Sequence, residues 1–251
     1  MPHLLITGAS SGIGAALALH YAAPDVRLSL HGRNAARLEE VAAQARAQGA
    51  TVTTMTGDVS DAAAMAAWIT AMDQAAPLDL VIANAGISGG TGAGRAQVDA
   101  VFAVNLHGVL NTIHPATDRM LTRGRGQIAI ISSLASFRGF AGASAYCASK
   151  AAVRVYGEAL RADLAPKGIQ VNVVCPGFIK TPMTDVNPFP MPFLMSAEQA
   201  AGIIRKGLER NQARIAFPWV MAMGLQLLAL LPQDWINRRM RGMPQKPALD
   251  G

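Results

Sequence analysis

The chain has 251 residues, 51% of them hydrophobic and only 15% charged, which suits one well-filled α/β core rather than a disordered or fibrous protein. Its formal net charge is +6, yet the basic residues are scattered, with small clusters at Arg119/Arg123/Arg125 and Arg238/Arg239/Arg241 and no interleaved aromatics, so no nucleic-acid partner is expected. Two cysteines, Cys147 and Cys175, give no disulfide framework, and no group of His, Cys, Asp and Glu has metal-ligand spacing, so no metal is expected either.

In chain order, Leu4-Leu5-Ile6 runs straight into Thr7-Gly8-Ala9-Ser10-Ser11-Gly12-Ile13-Gly14. An apolar strand thus enters a glycine-rich turn that opens a helix. Gly8 and Gly12 let backbone N–H groups approach a pyrophosphate, and Gly14 lets the helix pack tightly on its strand. Because the N-terminal apolar run is itself this strand, it does not read as a signal sequence, and a cytoplasmic location is expected. Val26 to Leu30 is the second strand. Asn34 caps a helix with Leu38, Val41, Ala42 and Ala45 on one face, stopped by Gly49. Thr51 to Met55 is a β-branched strand ending near Gly57-Asp58-Val59, and Met65, Trp68, Ile69 and Met72 make the core stripe of the next helix.

Leu78 to Ala83 is a buried strand, followed by a flexible segment from Gly86 to Gly94. A long helix is expected over Ala96 to Thr122, kinked at Pro115. Gln127 to Ser132 is a strand, Tyr146 to Leu164 a helix closed by Pro166 and Gly168, and Ile169 to Val174 a strand. Pro188 to Met195, rich in Pro, Phe and Met, reads as a mobile apolar lid. Ser196 and Gln199 form a capping box for the following helix, and Arg214 to Phe217 is a last short strand. Continuously apolar strands alternating with helices predict a doubly wound parallel sheet with helices on both faces and right-handed connections. Residues 1–251 read as one domain, with 186–213 as substrate lid and helix, and 218–251 as an apolar and then basic C-terminal segment.

The chemistry lies in Tyr146-Cys147-Ala148-Ser149-Lys150. One helical turn places the Lys150 ammonium beside the Tyr146 phenol. A nearby cation favours the phenolate and lowers its pKa, which fits the tyrosine to exchange a proton with a carbonyl or alcohol. Ser133, at a strand end, is placed to hydrogen-bond the same oxygen. Strand C-termini are where open α/β sheets bind ligands.

These motifs together resemble the short-chain dehydrogenase/reductase family over nearly the whole chain. Thr7-Gly8-x-x-x-Gly12-x-Gly14 is similar to the family's cofactor turn, Asn84-Ala85-Gly86 to its Asn-Ala-Gly motif, and Pro176-Gly177 with Thr181 to the segment at the nicotinamide end. Asn105, Ser133, Tyr146 and Lys150 match its catalytic tetrad. The resemblance implies about seven parallel strands and a Rossmann fold, with Tyr146 as general acid in reduction and base in oxidation. It implies that Ser133 steadies the substrate oxygen, that Lys150 lowers the Tyr146 pKa and binds the nicotinamide ribose, and that Asn105 holds a relay water. Gly8, Ser10, Ser11, Gly12, Ile13 and Gly14 would form the cofactor-binding turn, with the Ser11 hydroxyl available to a 2′-phosphate, Asp58 and Val59 would border the adenine, and Ile179 and Thr181 would contact the carboxamide. A homodimer or homotetramer is implied as well.

An NAD site usually carries an acidic residue at the end of the second strand for the ribose 2′-OH. Here the strand ends Leu30-His31-Gly32-Arg33. The guanidinium of Arg33 suits a 2′-phosphate, so NADP(H) is preferred, with NAD(H) as the second cofactor. The expected activity is an NADP(H)-dependent carbonyl reductase or alcohol dehydrogenase acting on a small apolar, lipid-like ketone or secondary alcohol. The reading from another class is a non-catalytic NADP(H)-sensing regulator. Ile215 to Gln233 holds no charge, but Pro218 and Pro232 bracket a stretch too short to span a bilayer. It reads as a subunit interface, a pocket wall or a peripheral membrane contact.

Overall fold

The computed structural model describes residues 1–89, 94–232 and 234. Strands and helices alternate as β1 (His3–Thr7), α1 (Gly12–Tyr21), β2 (Arg27–Gly32), α2 (Ala35–Ala47), β3 (Thr51–Thr56), α3 (Ala62–Ala75) and β4 (Leu80–Ala83). They continue as α4 (Arg95–Phe102), α5 (Gly108–Arg123), β5 (Gly126–Ile131), α6 (Ser144–Leu164), β6 (Ile169–Pro176), α7 (Pro182–Asp185), α8 (Ala197–Glu209), β7 (Arg214–Phe217) and α9 (Trp219–Ala229). The seven strands form one sheet in the order β3-β2-β1-β4-β5-β6-β7, and every pairing is parallel. This is the doubly wound Rossmann arrangement that the alternation of elements predicts.

β1 and β4 are buried along their whole length, which is why they carry apolar residues without alternation. β3, at the sheet edge, has no fully buried residue and leaves Thr51, Thr53 and Thr56 exposed. One core layer gathers Leu17, Leu28, Leu38 and Ile204, and the other Ile69, Ile113, Met120 and Val153. The winding direction reverses between β1 and β4. Ligands of open parallel sheets bind at that switch point, beyond the strand C-termini. The glycine turn after β1 and the Asn84 segment after β4 both lie there.

The long helix expected over 96–122 is divided. A π-helical turn, Ala103–His107, separates α4 from α5, so the interruption falls around Asn105, and Pro115 sits inside α5. Such wide turns have no sequence signature and recur at functional sites. Two further elements escaped the sequence pattern: a 3₁₀ turn at Leu134–Phe137, capped by the Ser133 side chain, and α7, opened by a Thr181/Thr184 capping box. Part of the expected flexible segment, residues 90–93, lies outside the described residues, as do Gln233 and the basic cluster at Arg238/Arg239/Arg241.

α9 packs Met221, Ala222 and Leu225 on Leu134, Val173 and Cys175. Its C-terminal end is held by the buried Arg138, whose guanidinium donates to the Leu228 and Leu231 carbonyls. A guanidinium there meets both the orphan carbonyls and the negative end of the helix dipole. Arg138→Met is expected to cost about 1–3 kcal/mol in denaturant unfolding. Unchanged stability would show that apolar packing alone seats α9. Among the described residues, no helix is long and apolar enough to cross a membrane.

Candidate active site

The turn after β1 is built by close approach. Gly8 and Gly12 have φ of +67° and +56°, in the left-handed region. A Cβ on Gly8 would lie 2.8 Å from the Ala85 Cα, and one on Gly14 would lie 2.2 Å from the Gly8 carbonyl oxygen. The neighbour that requires glycine at 14 is therefore the turn's own carbonyl, together with the Asn84 amide. The Thr7 hydroxyl accepts from the backbone N–H groups of Asn84 (3.1 Å) and Ala85 (3.2 Å). The Asn84 side-chain amide donates back to the Thr7 (2.9 Å) and Gly8 (3.2 Å) carbonyls. Asn84 thus braces the glycine turn as well as standing in the cavity wall.

Above the sheet lies a cavity of about 330 Å³. Its walls include Gly8, Ser10, Ser11, Gly12 and Ile13 from the turn, Arg33 after β2, and Asp58 and Val59 after β3. Asn84, Ala85 and Gly86 follow from β4, Ser133, Tyr146 and Lys150 from the β5–α6 region, and Pro176, Gly177, Ile179 and Thr181 from beyond β6. Two expected residues are not on the wall: Gly14, which packs beneath the turn, and Asn105, which is fully buried. The sequence reading missed Arg37 in the first turn of α2, exposed on the cavity rim like Arg33, and Met183 and Thr184 in α7. Thr181-Pro182 carried the one available signal for α7, a proline at the first helical position.

None of Pro188 to Met195 lines this cavity. The segment is stitched beside its wall instead. Lys180 N donates to the Met195 carbonyl at 2.8 Å, Met195 N donates to the Phe178 carbonyl at 3.0 Å, and Phe189 meets the Phe178 ring edge-on.

The Ser133 hydroxyl hydrogen-bonds the Tyr146 phenol and also accepts from Ala135 N at 3.1 Å. Lys150 Nζ lies 6.0 Å from the Tyr146 ring centroid and donates to the Ile131 carbonyl at 2.9 Å. The Asn105 amide grips the backbone of Ile87 from both sides, accepting from its N–H and donating to its carbonyl, each at 2.8 Å. It also donates to Ser149 Oγ at 3.1 Å, and that hydroxyl in turn donates to the Tyr146 carbonyl at 2.9 Å. Asn105 therefore fastens the segment after β4 to the helix that carries Tyr146. A Cβ on Gly86 would lie 3.3 Å from both Asn105 Oδ1 and Lys150 Nζ.

One expectation is corrected here. Burial pushes the Tyr146 phenol above its ordinary range, the Ser133 hydrogen bond pulls it partway back, and the nearby Cys147 adds to the rise. The direction of the shift is set by burial, and the Lys150 ammonium is turned to the Ile131 carbonyl. Asp58 behaves differently. Burial raises its carboxyl, but bonds from the Ser60 N–H (2.8 Å) and hydroxyl (2.7 Å), with Arg33 and His31 nearby, bring it below the usual value.

Burial draws the Lys150 ammonium from 10.5 down to about 8. The group is 4% exposed, so the shift corresponds to about 3 kcal/mol against the folded state at neutral pH. The unfolded chain holds this proton more tightly. The penalty is therefore full below about 8 and fades as the pH rises toward 10.5. Ligand-free Lys150→Met is expected to melt several degrees above the parent at neutral pH, with the gap closing in alkali. A lower melting temperature would show that the bond to Ile131 outweighs the desolvation.

A cradle that any Cβ would fill, leading along one cavity to a Tyr-Ser-Lys cluster, fits a dinucleotide with a reacting end. Comparison with known proteins agrees. The sequence matches the short chain dehydrogenase family over residues 2–188. An uncharacterised oxidoreductase from Myxococcus xanthus is 41% identical over 244 residues, 94% of this chain and 96% of that protein. A short-chain dehydrogenase from Sphingobium yanoikuyae, solved in complex with NADPH, superposes with a TM-score of 0.81 at 27% identity, covering 93% of this chain and 97% of that one. The bulky-bulky ketone specific alcohol dehydrogenase from Comamonas testosteroni superposes with a TM-score of 0.78 at 26% identity, covering 93% and 96%. Sheet order, glycine turn and sequence likeness converge, and the chain belongs to the short-chain dehydrogenase/reductase family of oxidoreductases.

Proposed function

We propose that the chain reversibly reduces an apolar ketone to a secondary alcohol with NADPH. The observation that carries this reading is the meeting of the Tyr146 phenol, the Ser133 hydroxyl and Lys150 in the cavity that the glycine turn opens into. Bound NADPH supplies the hydride. Ser133 and Tyr146 hold the carbonyl oxygen between two hydroxyl donors, and Tyr146 delivers the proton to it. A phenol raised by burial is fully protonated at neutral pH, which suits the acid role.

Lys150 binds the nicotinamide ribose, and its proton, loosened by burial, returns the phenol to its acid form. Asn105 is a positioning residue that acts through Ile87 and Ser149. The phosphates rest on Gly8, Ser10, Ser11, Gly12 and Ile13, where backbone N–H groups open a helix. Arg33, joined by Arg37, takes the ribose 2′-phosphate. Asp58 and Val59 flank the adenine, and Asn84, Ala85 and Gly86 the adjoining ribose. Pro176, Gly177, Ile179 and Thr181 hold the carboxamide end.

The bulky-ketone specificity of the Comamonas testosteroni enzyme supports an apolar substrate, as do Met183 in the wall and the Phe178 to Met195 segment beside it. A homodimer or homotetramer is proposed with it. The test is NADPH oxidation over a panel pairing bulky apolar ketones with short polar ones. At least a tenfold advantage in kcat/KM for the apolar set is expected, the order of one or two buried methylenes, about 1–3 kcal/mol. Tight NADPH binding without turnover of any ketone would instead favour a nucleotide sensor.

A further inference from the structure

We infer that the outer face of α9 is a docking surface for an anionic lipid bilayer, which it meets lying flat. α9 carries no charge, and its one polar side chain is the exposed Gln226. One side packs Met221, Ala222 and Leu225 on the fold. The other presents Trp219, Met223, Leu227 and Leu230, which are 67%, 50%, 61% and 81% exposed. These positions follow helical spacing and share one face, on which the exposed Gln226 is the single polar side chain. Four large apolar side chains exposed on one uncharged face call for a cover.

Several observations choose lipid over a second copy of the chain. From Ile215 to Gln233 the sequence holds no charge, whereas Arg238, Arg239, Arg241 and Lys246 follow against only Asp234 and Asp250. An anionic surface complements these basic residues. Trp219, at the start of the exposed face, has the amphipathic ring favoured at a headgroup boundary. Eleven residues make a helix of about 16 Å, far short of the ~30 Å hydrocarbon core, so it lies in the interface rather than across it.

The placement also bears on the site. A Cβ on Gly177, in the cavity wall, would come within 3.0 Å of the Pro218 ring and 3.1 Å of the Met221 sulfur. α9 also packs on Leu134, directly after Ser133. Docking through α9 therefore brings the active-site region next to the acyl layer. Resting on the function proposed above, this names the substrate class as ketones or alcohols that partition into membranes.

The test is flotation of the full chain with mixed phosphatidylcholine/phosphatidylglycerol vesicles, beside a Met223→Glu/Leu227→Glu variant. The parent is expected to float, to do so less at high salt, and to lose at least about tenfold in partitioning when the two glutamates enter that face. NADPH binding by the variant confirms that it is folded. A parent that stays with the soluble fraction, or a variant that floats equally well, overturns the inference. A non-floating parent whose mass in solution falls from dimer to monomer in the variant also overturns it and assigns the face to a second copy. Turnover of a water-soluble ketone without vesicles tests the oxidoreductase reading separately, so failure of one is distinguishable from failure of the other.

Discussion

Tyr146→Phe is expected to lower kcat by about 10²- to 10⁴-fold, the usual contribution of a positioned general acid. The substitution removes one oxygen and keeps the ring, so the surrounding packing is undisturbed. NADPH affinity should stay within about twofold, because the phosphates are held by the glycine turn, remote from that oxygen. The partner left behind is the Ser133 hydroxyl, which retains the Ala135 N–H. The loss should thus appear in kcat at every pH rather than as a shifted profile. Steady-state kinetics with separately measured cofactor binding decide the matter. Turnover near that of the parent would mean that another group supplies the proton, and the proposed mechanism would be wrong.

Exchanging Arg33 for Asp is expected to reverse the cofactor preference, moving the NADPH-to-NADH ratio of kcat/KM by about 100-fold or more. A charge-assisted bond to a phosphate is worth about 1.5–3 kcal/mol, and each 1.4 kcal/mol is a factor of ten. The new carboxylate adds repulsion toward the 2′-phosphate and an acceptor for a ribose 2′-hydroxyl. Arg37, on the same rim, retains part of the attraction. Arg33→Asp/Arg37→Ala should therefore shift the ratio further than Arg33→Asp alone. Equal losses for NADPH and NADH in the single variant would remove the 2′-phosphate role from Arg33.

The lines of the sheet were legible because a parallel strand buried on both faces has to be continuously apolar, as β1 and β4 are. The glycine turn was legible for a related reason. Its left-handed φ angles at Gly8 and Gly12 admit few other residues. Tyr146 and Lys150 could be paired from spacing alone, since four residues make one helical turn.

What spacing could not supply was orientation. That the Lys150 ammonium turns to the Ile131 carbonyl, and that the phenol is raised rather than lowered, depend on which atoms β5 presents to α6. Nor did local pattern place Asn105, whose two-sided grip on Ile87 follows from a π turn with no sequence signature. The Pro188 to Met195 segment has a lid's composition. Backbone hydrogen bonds to Phe178 and Lys180 set it beside the cavity wall.

Local rules of periodicity and turn geometry act between residues a few positions apart, so the chain's own order of residues settles strands, helices and the phosphate turn. Burial, electrostatics and cavity shape are summed over neighbours brought from distant positions. Arg138 on the α9 carbonyls is such a case, and only the packed fold assigns it that partner.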